Sequence, residues 1–320
     1  MSANDMRYVD YPIGVICALA VEKAAFVAML DEVHEATPTP KNDENNYTFG
    51  RIGHHNIVVA CLPAGITGNN SAATVAKDML RSFPIKIGLM VGVGGGVWSQ
   101  KMDIRLGDVV VSQPEGTHGG VVQWDFGKME SDGFKRTGSL NKPPRPLLNA
   151  LTDIKMKHML EGDSLAENLS RMAQKNPRMT RTFLYQGVEH DYLYASTYDH
   201  VGAETCDECD IRQITERPLR PTTDPQTHYG NIASGNKVVK NGPFRDLIAR
   251  DLGVICFDME AAGLMDSFPC LVIRGICDYA DSHKNKRWQP YAAAIAAAYA
   301  KELIGVLKKQ GVDELKPASE

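Results

Sequence analysis

Residues 12–32 read PIGVICALAVEKAAFVAMLDE, and this stretch sets the fold. Its first third, 12–18, is a short apolar run that reads as a buried strand. From 20 to 32 helix formers take over, with Ala24, Phe26, Val27 and Leu30 at helical spacing, so a helix follows the strand directly. The same alternation continues outward. Residues 56–62 and 86–93 read as strands with a helix over 70–83 between them, and 107–112 as a further strand. Beyond the middle of the chain, strands at 228–234, 254–257 and 270–277 alternate with helices at 243–251 and 259–267. An Ala-rich helix over 289–309 closes the series. Strands and helices alternating in this way give an α/β fold of three layers, a mostly parallel or mixed sheet flanked by helices.

Residues 142–227 interrupt the pattern. Three prolines at 142–146, a charged helical stretch at 147–172 and Pro218, Pro221 and Pro225 mark an excursion from the sheet rather than a second domain. The expected domain is therefore 11–308, with polar termini at 1–10 and 309–320. No repeat of solenoid length occurs.

Composition narrows the function class. With 35 Lys+Arg against 39 Asp+Glu, the net charge of −4 argues against general nucleic-acid binding. No apolar run is long enough for a membrane span, and residues 1–10 lack the apolar centre of a signal peptide. A soluble, cytoplasmic protein is expected. Seven cysteines are present, and five of them (Cys17, Cys61, Cys256, Cys270, Cys277) sit in strand-like apolar runs as small buried hydrophobes. Cys206 and Cys209 form a C-x-x-C pair near His200, Asp207 and Asp210. A zinc site wants about four ligands and no second pair exists, so a plain turn is expected, with no metal and no cofactor.

Gly92, Gly94, Gly95 and Gly96 follow a strand and read as a turn that lets a ligand approach backbone amides. A dinucleotide fingerprint fails, because its last position is Val97 and no acidic residue follows at the right distance. A P-loop is absent. Asp258-Met259-Glu260 lies where a strand hands over to a helix, and Asp278 ends the next strand. Glu22 opens the first helix. Each alone is an ordinary cap or turn residue. Three carboxylates at one edge of a sheet repel unless a ligand, proton or hydrogen bond relieves them, and strand ends of open α/β sheets are where ligands bind.

Taken in order, residues 13–22, Gly65-Ile66, Gly92 to Gly96 with Leu106-Gly107-Asp108-Val109-Val110, Ser234-Gly235-Asn236, Asp258-Met259-Glu260-Ala261 and Arg274-Gly275-Ile276-Cys277-Asp278 resemble the methylthioadenosine/S-adenosylhomocysteine nucleosidases. These belong to the wider purine nucleoside/uridine phosphorylase superfamily. The excursion and residues 282–288 resemble its fungal branch, where the domain often precedes a nucleotide-binding oligomerisation module in immune-receptor-like proteins. The resemblance implies cleavage of the N-glycosidic bond of a purine nucleoside or nucleotide, adenine above all, by a homo-oligomer, with AMP and ATP among the substrates to consider.

The resemblance also implies roles. Asp278 would be the general acid toward the purine N7, a task that needs a protonated carboxyl and so favours burial. Glu22 would activate the attacking water. Glu260 would hold the ribose hydroxyls, Met259 would pack on the sugar, and Gly94 and Gly95 would line the substrate. Val238 stands where the nucleosidases carry an aromatic ring over the base, and Asn236 where an Asp is common. Ile66 would face the 5′ group. Lys237, Lys284 and Arg287 could meet phosphates, although a solvated charged face is the favoured reading of them. Phosphorylases of the superfamily bind phosphate with an Arg before the Gly-rich segment and a Ser within it, where this chain has Met90 and Val93. Water is therefore favoured as nucleophile over phosphate. The alternatives are a phosphate-dependent phosphorylase and a non-catalytic nucleoside sensor.

Overall fold

The computed structural model describes residues 11–36, 39–202 and 204–319. The first half of the chain supplies β1 (Ile13–Cys17), α1 (Ala20–Met29), β2 (Glu32–His34), β3 (Thr48–Ile52), β4 (His55–Cys61), α2 (Asn69–Ser82), β5 (Ile87–Gly96) and β6 (Val109–Ser112). A short β7 (Val121–Gln123) and the hairpin β8 (Gly127–Glu130) and β9 (Gly133–Arg136) come next. They are followed by α3 (Arg145–Glu161), α4 (Leu165–Lys175) and α5 (Thr180–Phe183). The chain re-enters the sheet with β10 (Thr227–Ser234), then α6 (Gly242–Leu252), β11 (Val254–Asp258) and β12 (Cys270–Asp278). It ends with α7 (Gln289–Val306) and α8 (Lys309–Asp313).

The main sheet runs β11-β10-β6-β12-β5-β1-β4-β3-β2, with β7 beside β10. Its centre, β12-β5-β1-β4, is parallel, whereas β12–β6, β4–β3 and β3–β2 are antiparallel, so the sheet is mixed. Side chains of successive strand residues point to opposite faces. Ile13, Val15 and Cys17 accordingly join a core with α1, α3, α4 and α7, while Ile16 joins a second core with α2 on the other face. Covering both faces explains why the central strands are apolar throughout instead of alternating.

The Ala-rich surface of α7 lets it lie against β12 almost backbone to backbone. A Cβ on Gly275 would come within 1.8 Å of the Ala292 carbonyl oxygen. Gly275→Ala is therefore expected to cost about 1–3 kcal/mol or more through overpacking. Gly305, in the last turn of α7 with open space around its would-be Cβ, is expected to tolerate Ala with a gain of roughly 0.5–1 kcal/mol. Urea midpoints of the two variants check the contrast.

The structure revises several expectations. Gly92 to Gly96 are not a turn: they continue β5, and Gly95 and Gly96 pair antiparallel with Phe257 and Cys256 of β11. Glycine is needed for close approach, since a Cβ on Gly94 would lie 2.6 Å from Cys256 Sγ and one on Gly95 2.8 Å from Asp278 Oδ1. Residues 259–267 are not a helix beyond one short turn, Ala261–Gly263, which packs under the start of α2. The stretch 147–172 is two helices broken at Gly162, and β2, β3 and β7 to β9 went unread. Residues 309–319 pack back on the body, with Val312 buried and the Ala318 N–H donating to the Ile85 carbonyl at 2.8 Å. The polar stretch 1–10 lies outside the described residues. Among those described, no helix is long and apolar enough to cross a membrane.

Candidate active site

The curl of β5 onto β11 brings three chain segments together: the β1–α1 junction, the glycines of β5, and the ends of β11 and β12. A pocket opens there, and Glu22, Glu260 and Asp278 all line it. Each is buried, with 2%, 5% and 4% exposure.

Glu22 sits in the first turn of α1. Its Oε2 accepts from the Ala18 and Leu19 N–H groups at 2.7 and 2.9 Å, the ordinary helix-start arrangement. Its Oε1 does something a cap does not require: it accepts from the Val93 N–H of β5 at 2.8 Å. Burial raises its pKa, opposed by the charge of Arg274 and by these three N–H groups. A carboxylate offers about four lone-pair directions, so three bonds leave room for one more donor such as water.

Arg274, four residues before Asp278 in β12, balances the charge of the acids beside it. It lies in the apolar strand β12, has no exposed surface, and pairs with Asp258 while lying 3.5 Å from Glu260 Oε2. Its Nη2 is also 3.1 Å from Met90 Sδ. A lone Arg in an otherwise apolar strand is the signal that would have found this, because a buried charge must be paired. Burial pushes the Glu260 carboxyl up to about 7. Arg274 pulls it down, and Asp258 and Glu22 add to the rise. The Gly68 N–H, at a positive φ of 98° before α2, donates to Glu260 Oε1 at 3.2 Å.

A raised carboxyl pKa has a definite sign for stability. Between the usual carboxylate range and about 7, folded Glu260 holds a proton that the unfolded chain has released, so stability falls as pH rises through that window. Glu260→Gln removes the charge and most of this cost. Its melting temperature is expected to exceed that of the wild type above about pH 7 by an amount worth roughly 1–3 kcal/mol, and to converge toward it near about pH 4. A gap that does not change with pH contradicts this.

Asp278 ends β12. Its Oδ1 accepts from the Ala280 N–H at 2.9 Å, and Ala280 has the left-handed φ of 53° that closes this turn. Its Oδ2 lies 2.9 Å from Lys284 Nζ and accepts from the Cys277 thiol at 3.0 Å. The sequence leaves Lys284 between a phosphate contact and a solvated charged face. Instead Lys284 pairs with Asp278. Burial opposes the ammonium charge, yet the neighbouring Asp278 outweighs it and raises the Lys284 pKa.

The remaining expected residues divide. Gly94, Gly95, Met259, Lys237 and Val238 line the pocket with the three acids, Val238 being half exposed. Ile66 does not line it: it is 58% exposed in the turn before α2, and Thr67 faces the pocket instead. Asn236 does not line it either, because its Oδ1 is taken by the Asn69 N–H at 3.0 Å, anchoring the start of α2. Arg287 lies at a separate surface cavity beside Cys206. Phe257 and Gln289 line the pocket and were not foreseen. The β5–β11 pairing that aims Phe257 there is not readable from one strand's pattern.

A family model described as the phosphorylase superfamily matches residues 12–309. The chain belongs to the phosphorylase superfamily. A nucleotide-binding leucine-rich repeat (NLR)-like protein of Hyaloscypha variabilis is 46% identical over 308 residues. That match covers 95% of this chain but only 30% of that protein, so this chain spans about a third of that relative. A 5′-methylthioadenosine/S-adenosylhomocysteine nucleosidase of Mycobacterium bovis is 23% identical over 92% of this chain and 96% of its own. Among solved structures, futalosine hydrolase of Helicobacter pylori superposes with a TM-score of 0.58 at 16% identity, covering 92% of this chain and 98% of its own. The methylthioadenosine/S-adenosylhomocysteine nucleosidase of S. pneumoniae gives 0.58 at 18% identity, covering 92% and 99%. These superpositions show that the mixed sheet and its flanking helices share the fold of those two structures.

Proposed function

We propose that this phosphorylase-superfamily chain hydrolyses the N-glycosidic bond of an adenine nucleoside or nucleotide, releasing the free base. The observation that carries this is the position of Glu22. The Gly-rich end of β5 presents a backbone N–H at Val93, the kind of group that would hold a phosphate, and Glu22 Oε1 occupies it. A buried carboxylate there repels phosphate and suits a water to be deprotonated. The side chains of Met90 and Val93 supply no anion ligand. The buried Arg274 is committed to Asp258 and Glu260.

In this reading Glu22 takes a proton from water as the water attacks the anomeric carbon. Asp278 hands a proton to the purine N7, so the base leaves neutral. Lys284, at 2.9 Å, fixes the position of the Asp278 carboxyl, which takes up its next proton from solvent. Glu260 accepts from the ribose hydroxyls, and Met259 and Phe257 provide apolar walls for sugar and base. Lys237 is the one pocket-lining cation without an ion-pair partner among the described residues, and it is the group that a 5′ phosphate would meet. The NLR-like relative supports a place for the domain within a longer receptor-like chain.

The test is a chromatographic assay of adenosine, methylthioadenosine, AMP and ATP for free adenine. Release from at least one is expected, and Lys237→Ala should weaken a phosphorylated substrate while leaving methylthioadenosine unaffected. Binding without release from any of them contradicts the proposal and favours a sensor.

A further inference from the structure

A second polar cluster lies apart from the active-site acids, in the stretch that leaves the sheet. Cys206 and Cys209 bracket a single short helical turn, Cys206–Glu208, and both are free thiols. The fold brings His200 to them, so that one ligand atom from each of His200, Cys206 and Cys209 lies within 4.8 Å of the others. His200 Nε2 is 3.0 Å from the Thr205 carbonyl oxygen. In the tautomer that donates this bond, Nδ1 keeps its lone pair. A histidine whose other ring N–H is held by a carbonyl is the arrangement that metal-binding histidines adopt.

A second, independent observation points the same way. His283, on the segment after β12, is 7% exposed and lies flat on Tyr194, with ring centres 4.0 Å apart. Neither of its ring nitrogens has a hydrogen-bond partner among the described residues, and Asp281 Oδ1 is 3.6 Å from Nδ1, beyond a hydrogen bond. A buried imidazole with both nitrogens unsatisfied is costly and calls for a missing partner. Its ring centre is 5.5 Å from that of His200.

We propose that Cys206, Cys209 and His200 bind a zinc ion, with His283, whose ring lies beside that of His200 but outside this three-ligand cluster, turning in as the fourth ligand. Two thiolates and two imidazoles select zinc over magnesium or calcium, and about four such ligands make a closed structural site. Binding releases the two thiol protons to solvent and involves no oxidation. Cys206 lines a surface cavity shared with Glu204 and Arg287, which gives the ion a way in. The sequence reads this pair as a plain turn, because the partner histidines, 6 and 74 residues from the nearer cysteine and the latter across the fold, cannot be seen there. The ion would fasten the outlying stretch to the segment carrying His283, whose next residue, Lys284, holds Asp278.

The experiment is metal analysis of the chain purified under reducing conditions from zinc-supplemented medium, beside titration of the metal-free chain with Co²⁺. About one zinc per chain and a thiolate-to-cobalt charge-transfer band are expected, with both lost in Cys206→Ser/Cys209→Ser and the band shifted in His283→Ala. The cobalt titration needs only the wild-type chain, so a variant that fails to fold does not decide the matter. Wild-type protein that takes up neither ion, zinc retained by the double-serine variant, or a Cys206–Cys209 disulfide formed in place of metal binding would each overturn the proposal.

Discussion

Asp278→Asn is expected to slow base release by about 10²–10⁴-fold, the usual contribution of a positioned proton-transfer group. The asparagine is nearly isosteric and can still accept from the Ala280 N–H that now holds Oδ1 at 2.9 Å. The turn should therefore survive, and the melting curve serves as the control for folding. What the variant cannot do is deliver a proton to the leaving base. The loss should fall on kcat, because the missing interaction is made chiefly in the transition state. It should also be smaller for a substrate whose base leaves easily without protonation. Activity within a few-fold of wild type would remove Asp278 from the acid role and leave its pairing with Lys284 as a structural bridge.

Glu22→Gln is expected to cost a comparable ~10²–10⁴-fold, and to do so with a change in pH profile. The base must be ionised to accept a proton from water, and burial raises the pKa of Glu22. Wild-type kcat/KM should therefore fall on the acid side at a pH above the normal carboxylate range. In the glutamine variant the residual rate should lack that limb. If Glu22 were only a helix-start residue, glutamine would keep an accepting oxygen for the Ala18 and Leu19 N–H groups, lose the bond from the Val93 N–H, lower stability somewhat and leave turnover near normal. The profile separates the two roles, since a cap has no titration to lose.

Much of the fold was legible because apolar periodicity is a local signal. The runs that became β1, β4, β5, β10, β11 and β12 were found within a residue or two at most ends, and so were α1, α2 and α6. The three acids could be listed from the sequence because each lies at the junction of a strand and the segment that follows it. What was hidden depends on contacts between distant segments. Gly92 to Gly96 look like a turn until β11 is seen to pair with the end of β5. Lys284 looks like a phosphate ligand until the turn at Ala280 folds it back on Asp278. Ile66 and Thr67 are neighbours in one turn, and only the backbone decides which faces the pocket. Likewise, nothing local joins His200 and His283 to a C-x-x-C pair.

The central claim is that water, and not phosphate, attacks the sugar. The most direct measurement is identification of the sugar product from the substrate that turns over best, in phosphate-free buffer and again with phosphate added. The account predicts equal rates of adenine release in both, with the sugar appearing unphosphorylated at its anomeric carbon each time. Release that requires phosphate and yields a sugar 1-phosphate would contradict it, and would mean that the Val93 N–H held by Glu22 is given up to the anion during catalysis.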